Sequence, residues 1–156
     1  MKKFIKIGLP SLLVLLVVVA LIAPIGPVPG FLIGGTDTAA PQNWPDTRDV
    51  HEILLEVPGK LPRVVTIWLI QYESEIYVTG YAKSGWVKML GDGGPVRMRL
   101  GENTYSLTAS VETEELLPVL TAYKDKYRPD YPDIVADFPP AEEAGKANKV
   151  FKLSRS

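Results

Sequence analysis

The 156-residue chain contains no cysteine and a single histidine, His51. The first absence removes disulfides, thiolate nucleophiles, cysteine-ligated zinc and Cys-x-x-Cys redox chemistry. It leaves the compartment open, because small domains without disulfides are exported too. The second limits His51 to one place in a triad or one zinc ligand, and no G-x-S-x-G, H-E-x-x-H or P-loop pattern accompanies it. A histidine satisfied within a strand is the simpler reading. A charge excess is lacking as well, since 17 basic residues face 18 acidic ones. Lys2, Lys3 and Lys6 precede the first acid, Asp37, which leaves 14 bases against 18 acids in the rest of the chain. That balance suits solubility and excludes the basic footprint of a nucleic-acid binder. No internal repeat or low-complexity segment is present, and the length suits one domain plus an extension.

What the chain does have begins at its N-terminus. After MKKFIK no charge appears before Asp37, and LLVLLVVVALIA at 12–23 is unbroken apolar sequence. About 20 residues at 1.5 Å each cross a hydrocarbon core of ~30 Å, and residues 4–23 have that length. Pro10 falls in the second turn of such a helix, where a membrane helix tolerates it. PIGPVPG then ends the helix on the far side. A cleaved signal peptide has the same basic and apolar parts, but Val18 with Ala20 or Leu21 with Ala23 makes a poor small-residue cut, with Pro24 directly after. The reading adopted is a transmembrane anchor or signal segment over residues 1–33, in preference to a buried core helix. The N-terminus is then cytoplasmic and the remainder extracytoplasmic, periplasmic or extracellular. Residues 34–49, GGTDTAAPQNWPDTRD, lack apolar periodicity and read as a linker.

From Val50 onward period two dominates. VHEILLEV puts His51, Ile53, Leu55 and Val57 on one face, and RVVTIWLIQY is apolar on both, as a strand covered on each side should be. Glu73 and Ser74 connect tightly to EIYVTGYA, GDGG reads as a turn, and PVRMRL and TYSLTASV alternate. These are four or five antiparallel strands in meander order. A helix follows, with Thr113 as its cap and Leu116, Leu120, Tyr123 and Tyr127 at helical spacing. Pro118 objects unless the regular helix starts there. Pro132 leads a short helical turn, and NKVFKL is a closing strand. A late strand that pairs with an early one closes a small barrel and removes its edges. The fold class is mainly β with α: a small antiparallel barrel at residues 50–156 with one or two helices, preceded by the transmembrane helix.

The stretch after EIYVTGYA concentrates polar chemistry. Thr79, Lys83, Ser84 and Lys88 bring hydroxyls and two ammonium groups around Gly85, which together can cradle a phosphate, and Trp86 can wall it. The same residues suit a structural reading in which the lysines are solvated and Trp86 plugs a barrel end. GDGGP is no phosphate loop, because Pro95 and a strand follow where a helix should begin. Asp130, Asp133 and Asp137 can share a helical face, but acids near a helix start are more simply dipole partners, and no metal site is expected.

RVVTIWLIQYESEIYVTGYAKSGWVKML, then a Gly-rich turn, PVRMRLGENTYSLTASVE and a helix ending AYKDKY, resembles the split-barrel flavin-binding family over residues 50–153. Pyridoxamine-phosphate-oxidase-like proteins and deazaflavin-dependent nitroreductases belong to it. The resemblance implies FMN or deazaflavin as cofactor. Thr66, Ile67 and Trp68 would face the flavin ring, Thr79, Lys83, Ser84 and Lys88 would neighbour its phosphate, Trp86 would stand beside it, and Arg97 is a lesser candidate. It implies an oxidoreductase passing hydride to an electron-poor small molecule such as a quinone or nitro compound, with the cofactor between the subunits of a homodimer. The alternative is a non-enzymatic extracytoplasmic barrel that binds a small ligand, a lipid or a protein partner.

Overall fold

The computed structural model describes residues 10–12, 14, 15, 17, 18, 24 and 28–155. Much of the expected span at 4–23 lies outside the described residues. Its described part, within residues 10–18, is helical and exposed, and no helix among the described residues is long and apolar enough to cross a membrane.

The strands are β1 (Thr36–Asp37), β2 (Glu52–Val57), β3 (Arg63–Tyr72), β4 (Glu75–Tyr81), β5 (Gly93–Leu100), β6 (Asn103–Val111) and β7 (Asn148–Arg155). The helices are α1 (Gly85–Leu90), α2 (Leu116–Tyr127), α3 (Pro132–Ala136) and α4 (Ala141–Ala147). Strands run in the order β6-β5-β2-β3-β4-β7, and β7 pairs back onto β6, so six antiparallel strands close a barrel. The two-residue β1 lies parallel to β6 outside the ring.

Alternation sets the inside. Ile53, Leu55 and Val57 of β2, Leu69 of β3, Ile76 and Val78 of β4, Val96 and Met98 of β5, Leu107 of β6, and Phe151 and Leu153 of β7 form one buried cluster. The intervening residues of β3, β4 and β7 face outward, where Ile70, Tyr77 and Val150 are buried beneath Val119, Leu120, Tyr123 and Tyr127 of α2. This second layer is why β3 is apolar on both faces. Tyr127, with no exposed surface, locks the layers together. Its hydroxyl accepts the Leu69 N–H at 3.0 Å and shares its own proton between the carbonyls of His51 (2.6 Å) and Leu69 (2.8 Å).

Three expectations need correction. The strands are not a simple meander: β4 pairs with β3 and β7, and the chain then crosses the barrel end so that β5 pairs with β2 and β6. The crossing segment is not a loop but α1, whose Trp86, Val87 and Leu90 are buried as a plug, with Trp86 against Phe151. Gly80 is required beneath it, because a Cβ there would run into the Trp86 ring. Nor are residues 34–49 a free tether. Ile33 and Trp44 are 2% and 5% exposed, Trp44 meets Tyr105 edge-on at 5.1 Å, and the Lys126 ammonium donates to the carbonyls of Thr47, Val50 and Leu69. A Gly- and Pro-rich composition leaves few side chains to pack, but the buried Trp44 and Thr47, with Ile33 just before them, are enough to hold the segment down.

Smaller details follow from backbone chemistry. Glu73 and Ser74, at φ 47° and 68°, form the tight two-residue turn expected there. Helix α2 begins at Leu116, and the Glu112 carboxylate rather than Thr113 accepts the N–H groups of Glu114 and Glu115. Pro118 then sits in the first turn, where its missing N–H deletes no intrahelical bond. Pro132 opens α3 as expected, whereas α4 carries no signal that the sequence disclosed.

Two outcomes follow. Gly80→Ala should lower stability by about 1–3 kcal/mol in urea unfolding, the usual cost of overpacking, and shift tryptophan emission as the plug is displaced. Burial raises the phenols of Tyr123 and Tyr127 above their ordinary 10.0, so they add stability that is complete below pH 10 and lost as pH rises beyond it. Unfolding midpoints should fall above pH 10.5, where Lys126, held down to about 8 by burial, no longer adds an opposing slope. Tyr123→Phe should flatten that fall.

Candidate functional site

The barrel is split along one line. Residues 63–68 of β3 pair with β2, but β3 pairs with β4 only from Leu69 to Tyr72, while residues 79–81 of β4 go on paired to β7 alone. The edge of β3 that β4 leaves open receives the N-terminal segment instead, where Gly30 and Val64 exchange N–H to carbonyl bonds at 2.9 Å each way. Between this edge and the start of α1 lies a cleft of about 210 Å3, lined by Arg63, Thr66, Ile67, Ser84, Gly85 and Trp86, with Val28 and Pro29 at its border.

Arg63 is the feature with unspent chemistry. Its guanidinium lies over Gly85, where a Cβ would come to 3.2 Å from Cζ. Its Nε is buried and has no hydrogen-bond partner among the described residues. A buried donor left unpaired costs on the order of 1–3 kcal/mol, which an anion entering the cleft would recover. Ser84 already donates its hydroxyl proton to the Tyr81 carbonyl at 2.8 Å, so its oxygen faces a ligand only as an acceptor. Trp86, 6% exposed, and Ile67 make the apolar floor. No base among the described residues hydrogen-bonds Ser84.

Of the residues singled out from the sequence, Thr66, Ile67, Ser84 and Trp86 meet in this cleft. The others do not join them. Trp68 points to the outer layer and stacks on Tyr127 at 4.2 Å. Thr79, also on the outer face of β4, donates to the Lys149 carbonyl and borders a different cavity. Lys83 and Lys88 are exposed and do not line the cleft. Arg97 is committed to Asp37 at 2.5 Å and Glu56 at 3.4 Å, and its hydrogen bond to Asp37 raises its pKa further. Arg63 was missed, although alternation places it on one face with Val65 and Ile67.

Several other polar groups are spent on structure. His51 pairs with Asp130 at 3.2 Å and packs against Tyr127 and Tyr131, so it has structural partners, but it lies just before β2 rather than within a strand. No group of three or more His, Cys, Asp or Glu side chains among the described residues converges on a metal position. A larger open hollow of about 710 Å3 runs beside Trp44, Asp46, Gln71 and Lys126. Asp46 there is paired with Arg48 and held down to about 2 by it, the Gln71 carbonyl oxygen receives Thr47, and Lys126 donates to three carbonyls.

No family model and no curated protein sequence matches the chain. Solved structures do. HutZ, the heme storage protein from Vibrio cholerae, superposes with a TM-score of 0.51 at 12% identity, over 70% of this chain and 84% of that one. A conserved hypothetical protein from Mycobacterium tuberculosis gives 0.50 at 16% identity, over 70% and 75%. At these identities the likeness is one of fold, and the fold of this chain is a split β-barrel.

Proposed function

We propose that the protein is a small-molecule-binding split barrel whose cleft takes the anionic end of a flavin or deazaflavin, and that it is an oxidoreductase acting on an electron-poor quinone or nitro compound. The observation that supports this is the half-buried Arg63 guanidinium with an unpaired Nε, set between Thr66, Ser84 and the Trp86 wall. The residues fit a phosphate-sized anion. A cleft of about 210 Å3 is below the roughly 300–1,000 Å3 of sites that enclose a drug-sized ligand, so it accounts for the head of such a cofactor and not for its ring. A homodimer would supply the further walls. When bound, the cofactor supplies the hydride-transfer couple. The chain's own work is then to hold the anion with Arg63, orient it against β3 and keep water from the floor with Ile67 and Trp86.

The apolar run before residue 24 would tether the barrel to a membrane, with the barrel on the extracytoplasmic side. Gly30 is bound to β3, and seven extended residues reach at most about 25 Å, so such an anchor would keep the cleft close to the lipid surface. One observation favours the non-enzymatic alternative: Val28, Pro29 and Gly30 already lie along the border of the cleft, as in a barrel that serves a smaller ligand.

The absorption spectrum of the purified full chain, alone and titrated with FMN and a deazaflavin, separates the two. Binding with a visible band is expected. Arg63→Ala should weaken it about ten- to hundredfold, the worth of a charge-assisted hydrogen bond, while the Lys83→Ala, Lys88→Ala pair should cost less than about threefold. A colourless protein that binds neither compound is the cofactor-free barrel, and binding untouched by Arg63→Ala puts the ligand elsewhere.

A further inference from the structure

A second, smaller cavity lies on the outer face of the barrel, on the far side of β4 from the Trp86 plug. Its volume is about 140 Å3, and Gly80, Leu120, Tyr123, Phe138, Pro139 and Ala144 wall it. The strand forms its floor, α2 one side, and the connection from α3 into α4 the other. Its mouth is marked by Tyr81, which is 64% exposed.

The polar groups around it are unequally spent. The Thr79 hydroxyl donates to the Lys149 carbonyl at 3.3 Å, and the Lys124 ammonium donates to the Pro139 carbonyl at 2.9 Å. Tyr123 is different. It is 5% exposed as a residue, no hydrogen bond from its hydroxyl to another described residue is found, and the hydroxyl itself is not fully buried, so it is open to a ligand or to water. Burial, with Tyr127 beside it, raises the phenol well above its ordinary value, so the group is a neutral donor throughout the physiological range. No carboxylate lines the cavity among the described residues, and Lys124 at the wall favours an electron-rich atom there.

Size and chemistry together select a ligand class. An apolar cavity of about 150 Å3 in another protein admits benzene, so this one is the size of a single ring. The unpaired donor adds one demand, an acceptor on that ring. We infer that this cavity is a binding site for a single-ring apolar compound bearing a carbonyl-type oxygen, which receives the Tyr123 hydroxyl while the ring packs on Leu120, Phe138 and Pro139. It is separate from the seam cleft and does not depend on what the cleft binds.

Acetophenone and toluene, which differ by the acceptor, test this on the full chain by saturation-transfer NMR titration. Acetophenone should bind saturably and more tightly than toluene. Tyr123→Phe, which keeps the cavity and removes the donor, should weaken acetophenone about fivefold and leave toluene within about twofold, the effect of one neutral hydrogen bond. Ala144→Leu should fill the space and abolish both, with Leu120→Phe taking its place if circular dichroism finds the first variant unfolded, while Arg63→Ala should change neither. Absence of saturable binding to the wild-type chain, as from a hollow that holds only water, overturns the inference. So does acetophenone binding that survives a folded cavity-filling variant.

Discussion

The barrel depends on its last strand. β7 pairs along six residues of β4 and along five of β6, and so converts an open sheet into a ring in which neither β6 nor β4 ends as a free edge. The same pairing seals Phe151 and Leu153 into the centre, both without exposed surface. The split is a consequence of this closure. Because residues 79–81 of β4 follow β7, they part from β3 after the Leu69 and Val78 pair, and residues 63–68 of β3 are left with an edge that β4 cannot cover. Trp86 fills the wedge from below and Gly30 occupies part of the edge from outside. What is left between them is the cleft under Arg63. The cleft at this seam is thus a by-product of closing the barrel with a strand from the far end of the chain.

The helical layer obeys a second constraint, the satisfaction of backbone groups where chain segments cross. Residues 47–51 run over the ends of β3 and α2, and their carbonyls meet no ladder partner there. Tyr127 and Lys126, adjacent on α2, supply the donors: the phenol serves His51 and Leu69, the ammonium Thr47, Val50 and Leu69. Those bonds fix α2 on the outer face of β3, with Trp68 stacked against Tyr127. Further along, the fit is looser. Where α2, α4 and the α3 connection meet the far part of β4, small residues at Gly80 and Ala144 leave the second cavity.

Much of this was legible because local pattern and final environment agreed. RVVTIWLIQY is buried on both faces, PVRMRL and TYSLTASV show one face to the core, and Leu120, Tyr123 and Tyr127 share the buried stripe of α2. Helix α1 was not legible, since six residues are too few for a periodic signal and the lysines flanking Trp86 gave them a loop's composition. The packing of residues 34–49 was hidden for the opposite reason, as Trp44 is the one large apolar side chain there amid Gly, Pro and Thr. At the site, period two set Trp68 opposite Ile67, but only coordinates tell which face becomes the barrel lumen. Thr66, between Val65 and Ile67, lines the cleft as well.

Alone, the sequence determined the alternation that makes strands, the stripe that makes α2 and the turn residues between them, because each of these is set by neighbours within a few residues, and its composition excluded cysteine chemistry. Tertiary structure decided which strands are partners, that Trp86 would be a plug, that the Arg63 Nε would have no partner among the described residues, and that Lys83 and Lys88 would face water. Those outcomes depend on where β4 leaves β3 for β7, a pairing between segments some seventy residues apart, and loop closure over that distance leaves no trace in local pattern.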